Sequence, residues 1–287
     1  MMNENNLELD LLAETSEICA ASGINPARSR GQNFLINKKV YEDILVTADL
    51  TNDNVVLEVG PGLGFLTSAL ARKVKKVIAV ELDDKLASIL RFNLAKSGIK
   101  NVSVVNENIL NFDITRSIYS ELKAGYDIVA NLPYNISSIF LRKFLSIQDK
   151  PRSMVLMLQK EVAERICASS PEMSILAVSV QYFAKPEIIG YVPREDFWPA
   201  PVVDSAIVKI IIDNGGVQRT GEEEKAFFRL VKIGFAQKRK MLRNNLANGF
   251  HVSHDEAGEW IEKAGLNSKV RAQELRLEDW RKLLLSQ

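Results

Sequence analysis

The 287-residue sequence has little of the chemistry from which hydrolases and metalloenzymes are built. It holds two cysteines, Cys19 and Cys167, and two histidines, His251 and His254. Two distant cysteines without CxxC spacing make neither a disulfide framework nor a zinc site. The histidines read as solvated surface residues, and no metal is expected. A Ser-His-Asp hydrolase needs a well-placed histidine elsewhere in the chain, so that class is disfavoured. No apolar run approaches the roughly 20 residues that cross a bilayer. The N-terminus lacks basic residues: Glu4, Glu8, Asp10, Glu14 and Glu17 all precede the first one, Arg28. A secretory signal begins basic and a transit peptide is rich in Arg, so the expectation is a cytoplasmic protein without membrane contact. A monomer is expected.

The net charge of +1 does not by itself point to nucleic acid, but the distribution is uneven. Arg229, Lys232, Lys238, Arg239, Lys240 and Arg243 follow one another with no acid among them. Such a run is often only a solvated helix face. Interleaved Phe235 and Met241, with Asn244 and Asn245 just beyond, make Lys238, Arg239, Lys240 and Arg243 candidates for contacts to nucleic-acid phosphates.

Residues 7 to 23 read as a short amphipathic helix, followed by a basic polar loop from Arg28 to Asn33. Asn37 is placed to cap a helix whose apolar stripe is Val40, Ile44, Leu45 and Ala48. From residue 55 the pattern becomes short buried strands alternating with helices. Strands are predicted at 55–59, 76–80, 102–105, 126–130 and 153–158, and helices at 66–73 and 84–96. Near-continuous Val/Ile/Leu runs separated by helices are what a parallel sheet covered on both faces requires. A last strand over 205–211 leads into Asp213-Asn214-Gly215-Gly216, the best linker in the chain. Beyond it the pattern is helical. The fold class is therefore α/β, a Rossmann-like sheet with a small C-terminal helical domain. The domains are expected at 1–27 (a helical extension), 28–212 (catalytic) and 213–287 (helical).

The first strand ends in Glu58-Val59-Gly60-Pro61-Gly62-Leu63-Gly64-Phe65-Leu66-Thr67. A glycine turn between strand and helix lets a ligand approach the backbone at the carboxyl end of the sheet. A pyrophosphate-binding turn has its third glycine at 65, where this chain has Phe, and Pro61 removes a backbone donor. The turn suits a nucleoside without phosphates, such as S-adenosylmethionine. Glu81, at the end of the second strand, stands where a carboxylate accepts from ribose hydroxyls. After the third strand, Asn108 offers an amide oxygen to the adenine amine of such a cofactor.

The fourth strand delivers Asn131-Leu132-Pro133-Tyr134. The lone pair of the adenine N6 amine is delocalised into the ring, which makes it a poor nucleophile. The Asn131 amide oxygen and the Leu132 carbonyl can each accept one amine hydrogen, favouring a pyramidal nitrogen aimed at a methyl sulfonium. Pro133 fixes the turn, and Tyr134 offers a ring for the base. Positioning of this kind supplies rate without a general base.

These motifs resemble the KsgA/RsmA family of small-subunit rRNA adenine dimethyltransferases over nearly the whole chain. The resemblance rests on Gly31 to Leu35, Glu58 to Thr67, Glu81, Asn131 to Tyr134, Leu158 to Ala163, Phe197 to Ala206, and Gly234 to Leu246. It implies a class I methyltransferase using S-adenosyl-L-methionine. Asn33 and Leu35 would close over the cofactor, Gly60 would line its turn, and Glu81 would hold the ribose. Asn131 would be the catalytic asparagine, and Phe197 would sandwich the base against Tyr134. It further implies that the substrate is two adjacent adenines near the 3′ end of 16S rRNA within the small (30S) subunit. Asn108 departs from the pattern, since the family usually has Asp there. Two alternatives remain: an Erm-type 23S rRNA adenine methyltransferase, and a ribosome-assembly or binding factor on the same scaffold.

Overall fold

A computed structural model describes residues 10–26, 32–115, 120–213 and 221–287. Gly31, the basic loop residues 28 to 30 and linker residues 214 to 216 lie outside them, as do the acidic residues up to Glu8. The described residues up to Ala163 form one unit with Glu187–Ile211. Glu164–Pro186 forms the second with the described residues from Ile212 onward. The sequence pattern predicts one boundary at 213 and carries no signal for the excursion at 164–186.

In the first unit, helix α1 (Leu11–Ala21) starts at Asp10, whose carboxylate accepts from the Leu12 and Ala13 amides. Strand β1 (Phe34–Leu35) follows, then α2 (Lys38–Ala48). Asn37 caps α2 by accepting from the Lys39 amide at 2.9 Å. Val40, Ile44 and Ala48 turn inward, as the apolar stripe predicts. The alternating region then runs β2 (Val55–Val59), α3 (Phe65–Ala71), β3 (Lys76–Glu81), α4 (Asp84–Lys96), β4 (Val102–Asn106), α5 (Ser120–Lys123), β5 (Asp127–Asn131), α6 (Ser137–Ser146) and β6 (Ser153–Gln159). Strands β4-β3-β2-β5-β6 lie parallel in that order, so β2 and β5 are neighbours at the middle of the sheet. All five β2 residues are buried, because helices cover both faces. The reversal of strand order between β2 and β5 is where open α/β sheets bind ligands.

After β6 come α7 (Lys160–Ile166), α8 (Ile175–Phe183), β7 (Ala184–Val192), β8 (Phe197–Trp198) and β9 (Ser205–Ile212). Strand β9 pairs antiparallel with β6, with Gln159 opposite Ser205, and β7 lies at the edge beyond it. Strand β8 leaves the main sheet and pairs with β1, setting Leu35 opposite Phe197 and Phe34 opposite Trp198.

In the second unit, Tyr182 and Phe183 at the end of α8 pack on α9 (Gly221–Gly234). The Tyr182 ring lies 4.5 Å from Phe227 and 4.9 Å from Phe228. This aromatic packing explains why residues 164–186 group with the later helices. Helices α10 (Leu242–Phe250), α11 (His254–Lys263) and α12 (Leu277–Leu285) complete the unit. The buried Asn245 amide donates to the Gly234 carbonyl at 2.6 Å and to the Gln237 carbonyl at 3.2 Å. It thereby pins the turn between α9 and α10, on which Lys238, Arg239 and Lys240 stand exposed. Asn245→Ala removes both donors and leaves a buried carbonyl unpaired. It is expected to cost about 1–3 kcal/mol, read as a lower urea midpoint for the second unit.

Candidate active site

The glycine turn and the Asn131–Tyr134 turn leave adjacent strands at the same end of the sheet, and they meet. A Cβ at Gly60 would stand 3.6 Å from the Asn131 carbonyl oxygen and 3.7 Å from Pro133 Cδ. Gly60 also has a φ of +67°, a conformation that L side chains rarely adopt. Gly64 is more constrained, because its φ is +92° and an added Cβ would collide with Leu90 Cδ1. Both glycines are thus required by backbone geometry.

A cavity of about 610 Å³ opens along these turns. Asn33, Leu35, Gly60, Glu81, Asn131, Leu132, Pro133, Tyr134 and Phe197 all line it, so the structure brings these nine sequence-predicted residues together. The β1–β8 pairing, invisible in the sequence pattern, is what carries Phe197 to the wall beside Leu35. Two further bonds hold that wall: the Ile36 amide donates to the Asp196 carbonyl at 2.8 Å, and the Asn37 amide to the Asp196 carboxylate at 2.9 Å. The Tyr134 hydroxyl bonds the buried Ser205 hydroxyl at 2.8 Å, which fixes its ring. Burial raises the Tyr134 pKa, with the Ser205 bond acting against it, so the hydroxyl stays neutral. Sequence reasoning did not find Ser205 in this role.

Glu81 is 6% exposed at the end of β3. One of its oxygens accepts from the Gly62 amide at 3.1 Å and the other from the Asp83 amide at 3.0 Å. Burial raises its pKa, while these backbone bonds hold it back. Asp83 in turn caps α4 and accepts from the Gln32 amide at 3.2 Å. The carboxylate therefore braces the glycine turn from the next strand.

Glu58 is the residue whose importance the sequence did not reveal. It is 1% exposed on β2 and lines the cavity. Both its carboxyl oxygens are buried without a hydrogen-bond partner, as are the Asn33 amide oxygen and the Thr67 hydroxyl. Buried polar atoms are normally satisfied, and exceptions concentrate at binding and catalytic sites. Burial lifts the Glu58 pKa from 4.5 to about 8; the nearby Thr67 hydroxyl opposes this and the Glu81 charge adds to it. Glu58 is therefore a neutral acid at pH 7.

Asn108 is not brought to the cavity wall. Its amide oxygen accepts from the Leu110 amide at 2.9 Å, and its carbonyl accepts from Asn111 and Phe112, so it shapes its own turn. Lys143 on α6 secures that turn, donating to the carbonyls of Ile109, Leu110 and Phe112. Burial lowers the Lys143 pKa, partly offset by Asp113 and Glu107. In the second unit, Arg243 is half-buried with an unpartnered Nε, in contrast to the exposed Lys238, Arg239 and Lys240. His251 and His254 are both exposed. No described helix is long and apolar enough to cross a membrane.

Residues 24–286 match the family model for ribosomal RNA adenine dimethylase. The chain is 40% identical to ribosomal RNA small subunit methyltransferase A of Dehalococcoides mccartyi over 275 residues, covering 96% of this chain and 93% of that protein. It is 36% identical to the Bacillus cereus protein of the same name, covering 93% and 92%. Among solved structures, a dimethyladenosine transferase from Plasmodium falciparum superposes with a TM-score of 0.75 at 26% identity, covering 88% of this chain and 96% of that one. The 23S rRNA methyltransferase ErmE gives 0.72 at 27% identity, covering 88% and 99%.

The state of Glu58 sets a pH dependence. Its folded pKa lies above its ordinary value, so the folded chain holds a proton that the unfolded chain releases between pH 4.5 and about 8. Its contribution to stability is fully present below that window and is lost as pH rises through it. Urea unfolding without cofactor should show stability falling across the window, with a flatter dependence in Glu58→Gln. Equal slopes for the two proteins would exclude a protonated Glu58.

Proposed function

The chain belongs to the ribosomal RNA adenine dimethylase family, and from that membership we propose how its cavity carries out the reaction and on which RNA. The enzyme is an rRNA adenine methyltransferase. The observation that carries the reading is the convergence of the Gly60 turn and the Asn131–Pro133 turn on the wall of one cavity. This convergence puts the glycine turn within a side chain's reach of the Asn131 turn, as methyl transfer between two bound molecules requires.

S-adenosyl-L-methionine fits the residues present. The cavity supplies a buried carboxylate at the end of β3, a glycine turn without phosphate-binding donors, and orphaned polar atoms on Asn33 and Glu58 that call for a polar ligand. Glu81 would hold the ribose, while Asn33, Leu35 and Gly60 would line the rest of the cofactor. When bound, the cofactor supplies an electrophilic methyl group on sulfonium. Asn108, outside the lining residues and with its oxygen engaged, is the weakest of the proposed contacts. Any role for it in holding the adenine runs through the turn that Lys143 secures.

The target adenine enters between Tyr134 and Phe197, out of its stack in the RNA at a modest unstacking cost. Stacking on such rings is worth about 1–3 kcal/mol per base. The Asn131 amide oxygen and the Leu132 carbonyl accept the two amine hydrogens and aim the nitrogen lone pair. No residue has to remove a proton before attack: once the nitrogen has gained the methyl group and a positive charge, its proton is acidic and passes to water. After the first transfer the nitrogen keeps one hydrogen and one of the two acceptors keeps its partner, which is compatible with a second methyl.

The substrate we propose is the pair of adjacent adenines near the 3′ end of 16S rRNA in the 30S subunit, with the enzyme acting as a cytoplasmic monomer. The relatives named for the small subunit reach 40% identity over nearly the whole chain, which favours it over the Erm alternative. The similar TM-scores of the two solved structures reflect a shared fold and do not separate the substrates. Residues 28–212 are assigned to catalysis, and 213–287, with Lys238, Arg239, Lys240 and Arg243, to the RNA backbone. Residues 1–27 are treated as an extension.

With labelled cofactor, undermethylated 30S particles should be labelled and naked 23S rRNA should not; the reverse would overturn the substrate. Asn131→Ala should abolish transfer while leaving particle binding intact, which also separates catalysis from an assembly role. Neutralising one phosphate-binding charge at Lys238, Arg239 or Lys240 should lower the slope of log affinity against log salt by roughly 0.7 on single-stranded RNA. An unchanged slope when all three charges are removed would exclude the turn as an RNA surface.

A further inference from the structure

The target adenine is one unit of a polymer, so the nucleotides on either side of it must cross the rim of the cavity. Next to the Tyr134 wall, that rim carries an unusual group of side chains. Tyr134 bonds Ser205, which pairs across the sheet with Gln159. The next residue, Lys160, donates its amide to the Asp204 carbonyl at 3.0 Å. Its side chain is exposed and lays Nζ over the Tyr191 ring, 5.1 Å from the centroid. Tyr191 sits near the end of edge strand β7 and is 55% exposed, with Ile189 on the same face at 44%. Val202, in the loop joining Phe197 to Ser205, is 79% exposed. Of these, Tyr191 is the large side chain tied to the Tyr134 wall, through Lys160, Asp204 and Ser205, and it stays open to an incoming partner.

We propose that Tyr191, held by Lys160, is the stacking platform for the nucleobase next to the target adenine. This inference rests on the reading of the Tyr134–Phe197 cleft as the way in for the target base. The chemistry of the patch decides between parts of the RNA. The first turn of α7, strand β7 and the loop before β9 hold three further exposed carboxylates, Glu161, Glu187 and Asp204, against one further exposed cation, Lys185, while Arg194 and Glu195 pair with one another at 3.0 Å. A phosphate is unwelcome there, whereas the face of a base, uncharged and flat, is not. The ammonium orients the ring, and the exposure of the side chain leaves area on which a base can stack. Every base has such a face, so the platform contributes grip more than sequence choice.

The test uses the full chain as Tyr191→Ala and Tyr191→Phe, with methylation of undermethylated 30S particles as one readout. A second readout is a short single-stranded RNA with two adjacent adenines and 2-aminopurine beside them, whose fluorescence is quenched by stacking. Tyr191→Ala should raise KM for particles roughly 5- to 150-fold, the usual effect of removing one stacked base, and should abolish the quench. Tyr191→Phe should retain both. Cofactor affinity by calorimetry and the salt slope should be unchanged in either variant. Unaltered KM and quench in Tyr191→Ala would overturn the proposal. A salt slope reduced by about 0.7 would mean a phosphate contact and would overturn it too. A higher KM on particles with the oligonucleotide quench intact would assign the patch to a protein surface instead. Failure of the underlying cleft reading would appear separately, as unchanged KM and transfer in Phe197→Leu, which keeps apolar bulk and removes the ring.

Discussion

The meeting of the glycine turn with the Asn131 turn is the constraint on which the site depends. Two parallel strands, β2 and β5, end side by side, and each continues into one of these turns. The first is set by the positive φ at Gly60, where a Cβ would find only ordinary contacts with the second. The second is set by proline, which fixes its own backbone. Everything else on the cavity wall is arranged around this contact. Glu81 braces the glycine turn from β3, Tyr134 is anchored to Ser205 on β9, and Phe197 arrives on a separate strand pair.

The sheet was legible in the sequence because its signal is local. Buried parallel strands are short runs of Val, Ile and Leu, and those expected at 55–59, 76–80, 102–105, 126–130, 153–158 and 205–211 are all present, with ends within a residue or so. The helix expected at 84–96 is present too, bounded by its Asp83 cap and by the polar exit after Lys96. Strands β1 and β8 have two residues each, too few to show any period, and their pairing spans more than 160 positions. Strand β7 alternates in burial but carries Lys185, Pro186, Glu187 and Gly190, a composition that reads as a loop.

Site residues divide in the same way. Those with a motif around them were found and lie together. Glu58 belongs to such a motif, yet its distinctive property is the absence of a partner, which depends on neighbours brought in by α2, α3 and β3. No local pattern encodes an orphaned carboxyl group. Asn108 shows the opposite case: its position along the chain fits a cofactor contact, but its side chain closes a turn with Leu110. The segment 164–186 joined the second unit through Tyr182 and Phe183, whose aromatic partners lie some 45 residues further along the chain.

The β1–β8 pair has a consequence for how the two ligands of this enzyme sense one another. Leu35 and Phe197 face each other across a single antiparallel rung, and both lie in the same buried cluster. One belongs to the wall assigned to the cofactor and the other to the wall assigned to the base. Displacing either residue therefore drags the other, which makes the rung a mechanical link between two occupancies. Whatever free energy cofactor uptake loses or gains in moving that link, uptake of the base meets the same term with the same sign. Such a term is reciprocal by thermodynamic necessity. Coupling between the two uptakes, on this view, is a property of two residues of backbone.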